Sequence, residues 1–127
     1  MANPSTVNAT AVGKEVIRRS YIDGQAETEG TIITGVANHI MTVISIIICE
    51  RAGLSDAYFD LYVDYDLGGT DLKLMASQNV PSGGTYIVND RFAITATDKL
   101  HIIGTSAGGT AAFDVWCTYI DQQFAAP

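Results

Sequence analysis

Few side chains in this sequence have the type and spacing that chemistry requires. Gly104-Thr105-Ser106-Ala107-Gly108 fits the G-x-S-x-G pattern of a hydrolase elbow. An elbow holds its serine between a strand and a helix. Here another Gly and then a strand pattern follow, so a hairpin loop is expected and Ser106 is not read as a nucleophile. His39 and His101 sit at strand starts or within apolar runs, with no carboxylate at ligand spacing beside either. A zinc or general-base role is therefore not expected of them. Asp64, Asp66 and Asp71, with Gly69 at the sixth position, share part of the pattern of a calcium loop. Gly68 and Met75 stand where that loop needs an oxygen ligand and a bidentate Glu, so the segment reads as a polar hairpin tip. No catalytic residue, cofactor or metal is assigned, and the chain is not expected to be an enzyme.

The two cysteines, Cys49 and Cys117, lie in apolar strands, where a thiol behaves as a small buried hydrophobe. Two such strands can bring their cysteines face to face across a sandwich, and an oxidising compartment would then join them. The first residues, MANPSTVNATA, have no early basic residue and no apolar stretch of the kind a secretory signal carries. Reduced thiols and synthesis in a cytoplasm are expected.

The elements that would position these residues are strands. Residues 40–49, IMTVISIIIC, are almost wholly apolar and β-branched, which favours an extended backbone at the centre of a sheet. At ten residues the run is far shorter than the roughly 20 of a membrane-spanning helix, so both of its faces are expected to be covered by protein. Phe59, Leu61, Val63 and Tyr65 alternate with Tyr58, Asp60, Tyr62 and Asp64, the period of a strand with one buried face. The last strand repeats the pattern, with Phe113, Val115, Cys117 and Tyr119 on one side and Asp114, Trp116 and Thr118 on the other. Shorter strands are read near 12–22, 28–35, 71–77, 86–88, 92–94 and 100–103. Turn signals separate them at Asp23-Gly24, Val36-Ala37-Asn38, Leu67-Gly68-Gly69-Thr70, Val80-Pro81-Ser82-Gly83-Gly84-Thr85 and Thr97-Asp98. About eight strands at this spacing, as in sandwiches and barrels, with no capped helical period, predict an all-β domain, most simply an antiparallel β-sandwich of two packed sheets. The expected organisation is an N-terminal arm over 1–20 and the sandwich over 21–127.

The 127 residues suit one domain, and 47% hydrophobic against 17% charged residues argues for a packed core. Net charge is −7, yet residues 1–20 carry Lys14, Arg18 and Arg19 against Glu15 and sum to +2, which leaves −9 for the rest. A domain so acidic has no basic face to track a phosphate backbone, and nucleic acid is not an expected partner. Lys14, Arg18 and Arg19 are the candidates for docking on an acidic protein surface. Tyr58, Tyr62 and Trp116 fall opposite the core positions of their strands, where exposed aromatic rings favour an interface and covered ones would form a second core layer. They are the candidates for self-association.

The ordered series from Ile40 to Cys49, through Val80-Pro81-Ser82-Gly83-Gly84-Thr85, to Ala96-Thr97-Asp98-Lys99-Leu100 and Ala107-Gly108-Gly109-Thr110 before a last strand, is similar to a group of small tailed-bacteriophage virion proteins. The resemblance covers about residues 31 to 121 and leaves out the region from Val12 to Tyr21. Members of this group are β-sandwich modules that serve as head-decoration or as neck and tail components. The resemblance implies a virion protein of jelly-roll or related sandwich fold made in the host cytoplasm, a homotrimeric decoration or cement protein bound to the major capsid protein. A neck or tail adaptor facing a portal ring or fibre is the alternative. A carbohydrate-binding module, with exposed Tyr and Trp as stacking platforms, is the reading from a different class.

Overall fold

The computed structural model describes residues 15–25, 28–53, 56–65, 70–106 and 112–124. Among them nine strands and no helix occur: β1 (Glu15–Gln25), β2 (Gly30–Thr34), β3 (His39–Glu50), β4 (Ala57–Tyr65), β5 (Thr70–Val80), β6 (Thr85–Val88), β7 (Phe92–Ile94), β8 (Lys99–Ser106) and β9 (Phe113–Gln123). One sheet has the order β1-β9-β3-β6, with β7 pairing a different stretch of β3, and the other has the order β2-β8-β4-β5. Every pairing is antiparallel, and the pairs are nested in sequence: first with ninth, second with eighth, third with sixth and seventh, fourth with fifth. Extra ladders from β3 to β9 and from β4 to β8 roll this long hairpin into two stacked sheets. That is jelly-roll connectivity, and the chain is an all-β antiparallel sandwich.

The core follows from alternation. Met41, Val43, Ile46 and Ile48 of β3 face Phe59, Leu61 and Ala57 of β4, joined by Leu100, Ile102, Phe113, Val115 and Cys117. Phe59 meets Phe113 and Tyr86 edge to face, with ring centroids 6.1 and 5.6 Å apart, a geometry that aligns ring edges with the electron-rich faces. The pattern in β3 holds on both sides of the register shift between Val43 and Ser45, where one extra residue resets the inward phase from odd to even positions.

Some details depart from the sequence reading. Asp23-Gly24 does not end a strand. β1 continues to Gln25, and Gly24 takes a positive φ of 73° where the β1–β9 register shifts, so the glycine serves a bulge. β5 runs on to Val80, with two register shifts against β4 and Ser77 at a φ of 50°. The Asp60 carboxylate holds this irregular stretch by accepting from the Ser77 amide at 2.6 Å and from Lys73 Nζ at 2.9 Å. The Pro81 turn closes as expected, with the Gly84 amide donating to the Pro81 carbonyl at 2.7 Å. Its Gly83 adopts a positive φ of 69° that few other residues tolerate.

The cysteines are free and cannot pair within the chain. Cys117 points into the core and Cys49 points out of the same sheet, since Cys117 stands beside core-facing Ile46 while Cys49 stands beside Asp114. Burial pushes the Cys117 thiol up to about 12.

Candidate assembly surface

The basic leader is partly built into the fold. Residues 15–20 are the first half of β1, in register with Gln122 to Cys117 of β9, so the expected boundary at 20 falls inside a strand. Ser20 adds a bond from its Oγ to the Ile32 carbonyl at 2.5 Å, tying β1 to the facing sheet. Lys14 and the rest of residues 1–14 lie outside the described residues.

Arg18 is not free to dock. Its position matches that of Val16 in the alternation, so it turns inward, and its Nε lies 2.8 Å from Asp121 Oδ2. The other oxygen of Asp121 lies 2.6 Å from His39 Nδ1, so one buried carboxylate joins β1, β9 and β3. This also accounts for His39. Arg19 has the opposite phase and stands on the outer face of the sheet, exposed to solvent.

That face carries an uncommon arrangement. Tyr21 is opposite Trp116, Trp116 is opposite Ile47, and Ile47 is opposite Ile87, so four large apolar side chains form a row across four neighbouring strands. Their exposures are 58%, 44%, 40% and 52%. Scattered exposed apolar residues are ordinary in a monomer, whereas a contiguous row is a candidate contact surface. The Tyr21 and Trp116 rings are nearly parallel, at 19° with centroids 6.0 Å apart. The Arg19 guanidinium sits 5.2 Å from both ring centres, within reach of a cation–π attraction. Tyr21, Trp116 and Ile47 of the row also line a cleft of about 340 Å³ that takes in Cys49, Asp23 and Asp114. Arg51 Nη1 binds both carboxylates there, at 2.9 Å in the case of Asp114 Oδ1, and Asp114 also accepts from the Gly24 amide at 3.0 Å. The outer face of β3 is thus left open in the single chain, contrary to the expectation that protein covers both its sides.

The aromatic candidates separate. Trp116 lies at the centre of this row. Tyr58, 39% exposed, points away from the core on β4 of the other sheet and therefore cannot share a surface with Trp116 in one chain. Tyr62 is buried. Its hydroxyl donates to Glu29, and its ring lies 5.4 Å from that of His101, which is itself buried and 3.1 Å from Thr31 Oγ1. Burial, reinforced by the Glu29 carboxylate, pushes the Tyr62 hydroxyl far above the ordinary tyrosine range. Tyr62 and His101 form a second small layer on the back of that sheet, so Tyr62 is not available for self-association.

The remaining chemical candidates stay apart. Ser106 ends β8, and residues 107–111 lie outside the described residues. Asp64 and Asp71 are opposite one another across β4 and β5, while Asp66 lies outside the described residues. Among the described residues no group of three or more His, Cys, Asp or Glu side chains is placed to hold a metal ion.

Sequence reasoning named Arg19 and Trp116 as candidates, in different roles, but not Tyr21, Ile47 and Ile87, which the fold places beside them. Alternation of Ile17, Arg19, Tyr21 and Asp23 was the available signal for β1. In β3 no signal existed, because a strand apolar on both faces does not reveal which face is left uncovered.

No family model matches the chain, and no curated protein matches it in sequence. Solved structures match it in fold. A chain from the structure described as "Bacillus endospore appendages form a novel family of disulfide-linked pili" aligns over 98% of this chain and 98% of its own, with 18% identity and a TM-score of 0.52. The D431N VP2 protein of infectious bursal disease virus, from T=1 particles, aligns over 88% of this chain and 32% of its own, at 11% identity and a TM-score of 0.55. VP2 in the subviral particle of the same virus gives 89% and 34% coverage, 11% identity and a TM-score of 0.54. This chain thus spans the whole of the pilus chain but only about a third of VP2. The jelly-roll sandwich described above is similar in fold to proteins of a virus particle and of a pilus.

Proposed function

We propose that this chain is a non-catalytic structural subunit of a virion, and more specifically a decoration protein that binds the outer shell of a tailed-phage capsid and stabilises it. The observation that carries the reading is the open outer face of the β1-β9-β3-β6 sheet, where Tyr21, Trp116, Ile47 and Ile87 remain exposed. A sandwich that leaves such a row in water completes its burial in an assembly. The fold neighbours support it: VP2 is seen in T=1 and subviral particles, and the Bacillus chain belongs to pili. The ordered turn and strand series in the second half of the sequence supports the phage assignment.

In this reading the shell contact is made by residues 1–14, including Lys14, because Arg18 is already bound to Asp121. Such a protein acts mechanically, adding buried area across joints between shell subunits. The test is to measure binding of the full chain and of a chain lacking residues 1–14 to undecorated particles of the virus that encodes it. Binding by the full chain and at least tenfold weaker binding by the shortened one, with an unchanged β-type circular dichroism spectrum, is the expected result. Chain density at the portal vertex or tail, with none on the shell, would move the assignment to a neck or tail adaptor.

The near-parallel Tyr21 and Trp116 rings favour a second reading, a carbohydrate-binding module that stacks sugar rings. A glycan array distinguishes the two: saturable binding abolished by Trp116→Ala supports the module.

A further inference from the structure

Charges on the open face are arranged so that the face complements itself. Along β1 the outward side chains run Arg19, Tyr21, Asp23, so the cation lies on one side of the apolar row and the acid on the other. Across the sheet, Thr118 and Ser45 continue the Arg19 side. Asp114 and Cys49 continue the Asp23 side. Next to the row, the second side carries Asp23 and Asp114 against Arg51, one negative charge in excess, and the first carries Arg19, with Ile17 and then Glu15 following it outward along β1 farther from the row. A half-turn about an axis that lies in the face along the row exchanges the two sides. It lays the row on itself and the Arg19 side on the acidic side.

We propose that a second copy of this chain seats on this face, forming an isologous pair about that two-fold axis. In the pair each Arg19 meets Asp23 and Asp114 of the second copy. Tyr21, Trp116, Ile47 and Ile87 pack against their own counterparts, as the inner faces of two aligned sheets do. A second copy fits better than an acidic partner, which would gain from Arg19 but be repelled by Asp23 and Asp114. It fits better than a basic partner for the converse reason. Two chains of charge −7 repel overall, so the pairing of opposite charges at the contact fixes the register of the pair as well as joining it. The pair does not depend on the virion reading and can be tested in its absence.

The test is sedimentation of the full chain from roughly 1 μM to roughly 1 mM, the span from tight to weak association. A reversible dimer is expected. Arg19→Asp and Asp23→Arg, both at exposed positions, should each weaken it at least about tenfold, and the double variant should recover most of the loss because the complementary signs are restored. Cys49 provides an independent readout at the edge of the contact, since Cys117 is buried. Alkylation of Cys49 should slow with rising protein concentration in the wild type and not in Arg19→Asp. A monomer throughout, a trimer, a double variant no better than the singles, or concentration-independent Cys49 labelling would each overturn the proposal. Circular dichroism of the variants confirms that the fold is intact when the contact is lost.

Discussion

Glu50 is the residue on which two loops converge. Only 1% of it is exposed, and among the described residues its partners are backbone amides rather than a cation: Oε1 accepts from the Ala52 amide at 3.0 Å, and Oε2 accepts from Gly53 at 3.0 Å and Gly83 at 2.9 Å. The Gly83 amide contributes most to holding the carboxyl below its ordinary range, and the Gly53 and Ala52 amides add to this against the opposing effect of burial. A folded-state value below the unfolded one of roughly 4.3 means that the ionised form stabilises the fold. The contribution is complete above the unfolded value and is lost as pH falls through the folded one. Glu50→Gln should therefore cost about 2–4 kcal/mol at neutral pH, the scale for breaking a buried charged hydrogen-bond network. Urea unfolding should show the difference between variant and wild type shrinking as pH falls through the acid range; a pH-independent gap would assign the loss to packing. Nothing in the sequence marked this role, because a Glu after an apolar run reads equally well as the charged end of a strand. The donors come from the Pro81 turn and from the loop after β3, and only the fold brings them together.

At the scale of elements, the strands were legible wherever alternation was strict. β4 and β9 lie where period two put them, and the Pro81 and Asn38 turns close as their residues require, with Asn38 at a φ of 65°. The reading lost accuracy where a bulge replaced a turn, as at Gly24, and where inward-facing charge was hidden among apparent surface residues, as at Arg18. Arg18-Arg19 looks like one basic patch in sequence, but strand geometry sends adjacent side chains to opposite faces. One arginine therefore meets Asp121 and the other covers Tyr21 and Trp116. This separates two truncations that a free arm would make equivalent. Removing residues 1–14 leaves β1 entire, whereas removing 1–20 deletes Glu15–Ser20, exposes the β9 edge and leaves Asp121 without Arg18. Loss of that partner alone should destabilise by about 1–3 kcal/mol, because Asp121 keeps its contact with His39, and an uncovered strand edge promotes aggregation. Thermal melts with light scattering should show the shorter truncation folding like the full chain and the longer one melting earlier with loss of solubility.

For the whole molecule, nesting makes most sheet contacts distant in sequence, the β4–β5 hairpin apart. β1 pairs with β9, and β2 with β8, across most of the intervening chain. Chains that depend on such distant pairings fold in milliseconds to seconds, well below the rates of local helical folds. Stopped-flow refolding of the full chain should fall in that window. Slowing by Phe59→Leu beyond that caused by Trp116→Ala is expected, because Phe59 bridges the two sheets while Trp116 lies outside the core. Equal rates for the two variants would place the sheet-to-sheet contact after the barrier.

The same nesting has a practical consequence. Glu15 at the start of β1 stands directly beside Gln122 near the end of β9. A label or cargo domain spliced before the first strand or after the last would thus emerge from one corner of the sandwich. A pair of fluorophores placed there would report by energy transfer when that corner opens.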